Sequence, residues 1–211
     1  MFTWANKLKL TTRHPVKGIG YLKTSRRERY LSHEEVHRLL NACTGDLRDM
    51  AVLALGTGMR ASEVLGLDRD HVDMKNQVAK LVDTKNGDCR LVSLPPIVME
   101  MLSNRPAPLR QVFPGWTIDK LSWHFGRAVR RAELSRVTFH VLRHTFASHA
   151  VMAGVDLYTL AKLLGHRTIS MVQRYAHLAP AHLQAATNRA AGAVFAADMP
   201  HQVPQTKANV A

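Results

Sequence analysis

The sequence predicts a mainly α fold of the α+β class, a helical domain carrying a small three-stranded antiparallel sheet. Three observations predict it. Apolar residues recur at helical spacing through most of the chain. Between residues 71 and 94 the period drops to two around an Asn86-Gly87 turn. A hydrophobic content of 46% in 211 residues suits one packed core and excludes wholesale disorder.

Residues 1–30 are basic, weakly periodic and broken by Pro15, Gly18 and Gly20, so they read as a linker. Order is expected to begin at Leu31. Ser32 with Glu35 forms a capping box, and Val36, Leu39, Leu40 and Cys43 share one helical face, which Gly45 should end. Asp46 to Leu55 is apolar on most sides and predicts a buried helix, broken at Gly56-Thr57-Gly58. A short helix opens at Arg60 and runs through Leu65. Val72, Met74, Val78 and Leu81 then alternate with polar residues, as expected of strands, with Leu91, Val92 and Leu94 after the turn. Pro95-Pro96 starts a helix to about Asn104, and three prolines make 105–116 a loop. Helices are expected from Thr117 to about Ala132, Phe139 to Ala153, Leu157 to Leu164, Ile169 to Leu178, and 181–197. The tail, 198–211, has the composition of a disordered segment.

Composition narrows the function. Lysine and arginine total 29 against 16 acidic residues, a net charge of +13, which favours a polyanionic partner, nucleic acid before membrane. The most apolar run, Met50 to Met59, is about half the length of a membrane span, and no signal peptide is evident. Two cysteines, Cys43 and Cys89, are too few for a disulfide framework and fit a reducing compartment.

Three segments carry chemistry: Thr57-Gly58-Met59-Arg60-Ala61-Ser62-Glu63, His140-Val141-Leu142-Arg143-His144, and Leu164-Gly165-His166 with Tyr175 nine residues beyond His166. In order, spacing and intervening hairpin they resemble the tyrosine recombinase, or phage integrase, family over about residues 31–190. The resemblance implies that 31–197 is a catalytic domain and that 1–30 holds the end of a core-binding domain plus the linker. It implies six catalytic residues. Arg60 matches the first arginine, and Lys85, just before Asn86-Gly87, the mobile lysine. His140 and Arg143 match the His-x-x-Arg pair, His166 the second histidine, and Tyr175 the nucleophile. Many members carry Asp after the first histidine; Val141 stands there here.

The implied reaction is attack by Tyr175 on a DNA phosphodiester, giving a covalent 3′-phosphotyrosine and a free 5′-hydroxyl. The implied partner is double-stranded DNA, with self-association through the 181–197 helix, in the cytoplasm of a bacterial cell and encoded by it or by a phage. No cofactor, metal or ATP is implied. Two planar guanidiniums suit the charge spread over a phosphoryl transition state. A free phenol is only about 0.1% ionised at neutral pH, so its proton needs an acceptor, for which His140 is the expected residue. Lys85 on a movable tip would protonate the departing 5′-oxygen.

Other readings compete. His140 and His144 lie four apart and could share a metal, but no third ligand is evident; His144 is expected to pack or to contact phosphate. His149 and His177 read as structural. Thr159 to Tyr175 has the outline of a helix-turn-helix, which would make the chain a DNA-binding regulator. A degenerate recombinase that binds DNA without cutting is the other alternative.

Overall fold

The computed structural model describes residues 2–10, 29–82, 89–105, 110–166, 168–179 and 182–195. Within them nine α-helices and three strands follow in the order α1 (Phe2–Lys7), α2 (His33–Ala42), α3 (Asp46–Thr57), α4 (Ala61–Leu65), β1 (Val72–Asp73), β2 (Val78–Val82), β3 (Cys89–Ser93), α5 (Pro96–Ser103), α6 (Ile118–Arg131), α7 (Phe139–Met152), α8 (Leu157–Leu164) and α9 (His182–Val194). The fold class is the expected one. The Asn86-Gly87 turn, Lys85 and the 198–211 tail lie outside the described residues.

The helix starts follow the sequence signals. Ser32 Oγ accepts from the Glu35 amide, and the Glu35 carboxylate accepts from the Ser32 amide, so both halves of the capping box are made. Thr117 and Asp156 cap α6 and α8 in the same side-chain-to-amide fashion.

Three boundaries depart from expectation. Helix α2 stops at Ala42, and Gly45 (φ 54°) instead precedes the first residue of α3, using a conformation that favours glycine. Gly56 and Thr57 remain helical, and only Gly58 (φ 69°) ends α3. Residues 169–178 form two stretches of 3-10 helix, Ile169–Met171 and Gln173–Leu178, not an α-helix. Amide bonds reach back three residues there, as from Tyr175 to the Val172 carbonyl. That tighter winding eclipses side chains three apart, and Val172 and Tyr175 are both buried on one face. A short helix, α1, also stands within the segment read as linker.

The sheet is antiparallel in the order β1-β2-β3. Ala79 faces Val72 on one side and Val92 on the other, and Leu81 faces Arg90. Alternation buries Ala79, Leu81 and Val92 against the helices and leaves Lys80 and Leu91 outward.

Helix α7 joins two apolar clusters. Its first half (Phe139, Val141, Leu142) belongs to the large core that α2, α3, α5, α6 and the sheet share. Its second half (Ala147, Val151) packs with Leu160, Leu164, Val172 and Tyr175. Residue Leu31 is tied to the same helix: its amide donates to Thr145 Oγ1 (3.0 Å), and His149 Nε2 donates to its carbonyl (2.8 Å). His149 thus has the structural place expected of it. Because α7 is clamped on both sides, side chains on its remaining face are held to a fixed frame.

Candidate active site

Arg143 is the buried centre of that face, only 4% exposed. Its Nη1 donates to the Gly58 carbonyl (2.7 Å) and its Nη2 to the Leu164 carbonyl (2.8 Å). These carbonyls stand at the C-terminal ends of α3 and α8, where helices leave acceptors unfilled and carry partial negative charge. Two helix ends therefore fix one guanidinium. Burial, then the charge of Arg60, draws its pKa down to about 10, and it stays charged at neutral pH.

Gly58 is required at this junction. It adopts φ 69°, and a Cβ there would come within 2.6 Å of Phe146 and 2.7 Å of Leu164. Thr57 braces the turn, donating to the Leu53 carbonyl and accepting from the Met59 amide. The Thr-Gly-x-Arg sequence thus brings a bare carbonyl to Arg143 and starts α4 at Arg60.

Arg60 precedes α4. Its amide and its Nη1 both donate to Glu63, at 2.7 and 2.8 Å. Arg90 Nη2 from β3 donates at 2.8 Å to Glu63 Oε2, the oxygen that also accepts from the Arg60 amide. Burial alone would raise the Glu63 carboxyl, but the hydrogen bond and charge of Arg90, with the charge of Arg60, hold it below the ordinary value. Arg90 Nη1 also donates to the Leu163 carbonyl at 2.8 Å, so the last carbonyls of α8 are filled by two arginines. A Cβ at Gly165 (φ 66°) would come within 2.8 Å of Arg90 Nε, so glycine serves both the turn and this approach.

His166 follows directly. Its Nε2 lies 2.9 Å from Arg143 Nη2. A guanidinium only donates, so Nε2 accepts and the ring proton sits on Nδ1. Burial, then the charge of Arg143 and the further cations Arg60, Arg174 and Arg90, pushes its pKa down to about 4; His166 is neutral at pH 7. His140 is held below the ordinary histidine value by desolvation among its neighbours, then by Arg143, Arg60 and Arg174, although the residue as a whole stays exposed.

Tyr175 turns inward, 2% exposed, and its hydroxyl lies 2.6 Å from His144 Nδ1. The ring of His140 meets that of His144 edge to face, centroids 4.7 Å apart. The histidine on the tyrosine hydroxyl is thus His144, one turn after the expected His140, and its ring packs on His140 as well. Five of the six residues singled out in the sequence, Arg60, His140, Arg143, His166 and Tyr175, thus converge on α7 and the ends of α3 and α8. Lys85 lies outside the described residues. Three residues given no role in the sequence join them: Glu63, Arg90 and Arg174. Four arginines, Arg60, Arg90, Arg143 and Arg174, set against the one carboxylate of Glu63 make an anion-seeking pocket. Glu63 carried the available signal, since an acid three residues after Arg60 at a helix start is placed to pair with it.

Fold and site together define a catalytic domain of the tyrosine recombinase class. The profile of the phage integrase family matches residues 29–109 and 116–182. The integrase of Haemophilus phage HP1 is 36% identical over 187 residues, covering 84% of this chain and 52% of that protein. The integrase of Escherichia phage P2 is 33% identical over 172 residues, covering 81% and 50%. Among solved structures, the catalytic domain of bacteriophage HP1 integrase superposes with a TM-score of 0.64 at 35% identity, covering 75% of this chain and 93% of that one. The chain belongs to the phage integrase family. It spans about half the length of the curated relatives it matches.

Proposed function

We propose that this chain breaks and rejoins strands of double-stranded DNA, as a site-specific recombinase or integrase working through a 3′-phosphotyrosine. The observation that carries the reading is the pairing of a buried, hydrogen-bonded tyrosine hydroxyl with the adjacent, doubly anchored Arg143. A phosphate drawn to Arg60 and Arg143 would meet fixed donors, which stabilise developing charge without reorganisation. His166, neutral and accepting at Nε2, helps hold the Arg143 guanidinium in place. The phosphotyrosyl bond conserves the energy of the diester, so rejoining needs neither ATP nor a metal. The competing helix-turn-helix reading leaves the arginine cluster without a purpose. The deciding experiment is incubation with a nicked suicide duplex carrying a candidate site, followed by a denaturing gel. Covalent adduct supports the reading, and its absence across candidate sites would favour a DNA-binding regulator.

Lys85 is assigned the proton for the departing 5′-oxygen. Lys85→Ala should slow cleavage by about 10²–10⁴-fold, the usual worth of a general acid. A substrate with sulfur at the bridging 5′ position leaves without that proton, and it should restore Lys85→Ala selectively. Equal restoration of Arg60→Ala would remove the acid role from Lys85.

Binding should be dominated by phosphate contacts, given the net charge of +13. A plot of log affinity against log salt should be linear, falling by about 0.9 for each phosphate neutralised. Fluorescence anisotropy at several salt concentrations reads the slope, and a flat line would contradict a DNA-facing charge.

A further inference from the structure

We propose that His144 is the group that takes the proton of Tyr175 as the phenol attacks phosphorus, an assignment that rests on the strand-transfer reading above. The two side chains already meet. Tyr175 Oη and His144 Nδ1 are 2.6 Å apart, at the short end of hydrogen-bond distances. A phenol is the better donor and an imidazole nitrogen the better acceptor, so the bond runs from O–H to Nδ1. The helix α7 that carries His144 is fixed by Arg143 on one side and by the Leu31 clamp on the other. The tyrosine is fixed by burial among Leu160, Leu164 and Val172.

The groups acting on His144 are His140 and Arg143 of its own helix and Arg174 of the segment that carries Tyr175. Burial first, and then these three, push its pKa down to about 4. The ring is therefore neutral at pH 7, with a lone pair on Nδ1, but it is a weak base while the pocket is empty of anion. A phosphate bound at Arg60 and Arg143 offsets the cationic part of that depression. The acceptor then gains basicity when substrate is in place.

The step balances as follows. The Tyr175 O–H bond breaks and its proton forms an N–H bond at His144 Nδ1. The phenol oxygen forms a bond to phosphorus, and the bond from phosphorus to the 5′-oxygen breaks with its electron pair on that oxygen. The 5′-oxygen takes a proton from the separate acid, assigned above to Lys85. On rejoining, the His144 imidazolium returns its proton to the phenol.

The test is the single-turnover rate of adduct formation on a nicked suicide duplex, measured across pH. His144→Asn sets an amide where Nδ1 stood, keeping a hydrogen bond without a base. Adduct formation should fall by about 10²–10⁴-fold with DNA affinity unchanged. The residual rate should climb about tenfold per pH unit toward the phenol pKa near 10, because the phenolate must now form beforehand. A fluorinated tyrosine at 175, with a more acidic phenol, should restore much of the loss. A His144→Asn variant with the wild-type rate and pH profile would overturn the assignment. So would the steep alkaline climb appearing in His140→Asn and not in His144→Asn. If the Asn variant does not fold, the fluorinated tyrosine is placed in the otherwise unchanged chain. The acid limb of the profile should then stay where it is; a shift by the full difference in phenol pKa would overturn the assignment. Absence of adduct from the wild-type chain would instead strike the strand-transfer reading itself.

Discussion

Replacing Tyr175 by Phe should abolish covalent adduct with a nicked suicide duplex and leave fold and DNA binding in place. The tyrosine ring is 2% exposed and packs in the smaller apolar cluster, and phenylalanine keeps all of that ring. What is lost is one oxygen. Its hydrogen bond to His144 is worth about 1 kcal/mol, and the half-buried imidazole can turn to water. The melting temperature of a domain this size should drop by only about 2–4 °C. The chemical effect has no such partial form, because no other atom at that place can bond to phosphorus. A denaturing gel, a thermal melt and DNA anisotropy on the same two proteins measure the three quantities. Adduct persisting in the Phe variant would take the nucleophile role from Tyr175.

That variant depends on a contact no sequence pattern announces. Arg60, His140, Arg143 and His166 stand out because each sits in a short motif with local grammar: a glycine turn, a helix start, a glycine helix end. The pairing of His144 with Tyr175 has none. It joins residues 31 apart through the way a 3-10 segment lies on α7. The two 3-10 stretches, Ile169–Met171 and Gln173–Leu178, are too short for their few apolar positions to tell a period of 3.0 from one of 3.6, so Ile169 to Leu178 reads as an α-helix. The tighter turn eclipses Val172 and Tyr175, which an α-helix would leave about 60° apart on the same side. On the sequence alone the proton acceptor therefore falls to His140, whose match to the family is better.

The glycines divide in the same way. Gly58 and Gly165 end helices at positions the sequence marks, yet their close approaches, to Phe146 and Leu164 and to Arg90, are tertiary. Gly45 illustrates the opposite case. It looks like the end of α2, but its positive φ serves the entry to α3, since the chain had already left the helix at Cys43. Arg90 is the hardest to foresee. In sequence it is one basic residue of a short strand, and its place beside Glu63 and the α8 terminus arises from the long reach of its side chain off the edge strand β3.

Arg143→Ala and Arg60→Ala should separate stability from chemistry, although both arginines are expected to face the same phosphate. Arg143 is buried and fills two carbonyls and one histidine nitrogen. Truncation would strand the Gly58 and Leu164 carbonyls. Buried groups left without partners cost about 1–3 kcal/mol each, so a total near 3 kcal/mol is a moderate expectation, or roughly 6–12 °C in melting temperature. Arg60 keeps 41% of its side chain in solvent and holds one ion pair to Glu63. Such pairs contribute about 0–1 kcal/mol, and Glu63 retains Arg90, so the Arg60 variant should melt within about 4 °C of wild type. Cleavage should nevertheless fall by about 10²–10³-fold for Arg60→Ala, the usual worth of one preorganised donor, and by more for Arg143→Ala, which also releases His166. Arg143→Lys should not restore the rate: one ammonium cannot span carbonyls from two helix ends and a histidine nitrogen as the planar fork does. Thermal melts and single-turnover cleavage at saturating enzyme read both axes. Equal melting temperatures for the two alanine variants would show that Arg143 does not hold the ends of α3 and α8 together. Wild-type cleavage by Arg60→Ala would remove it from the phosphate site.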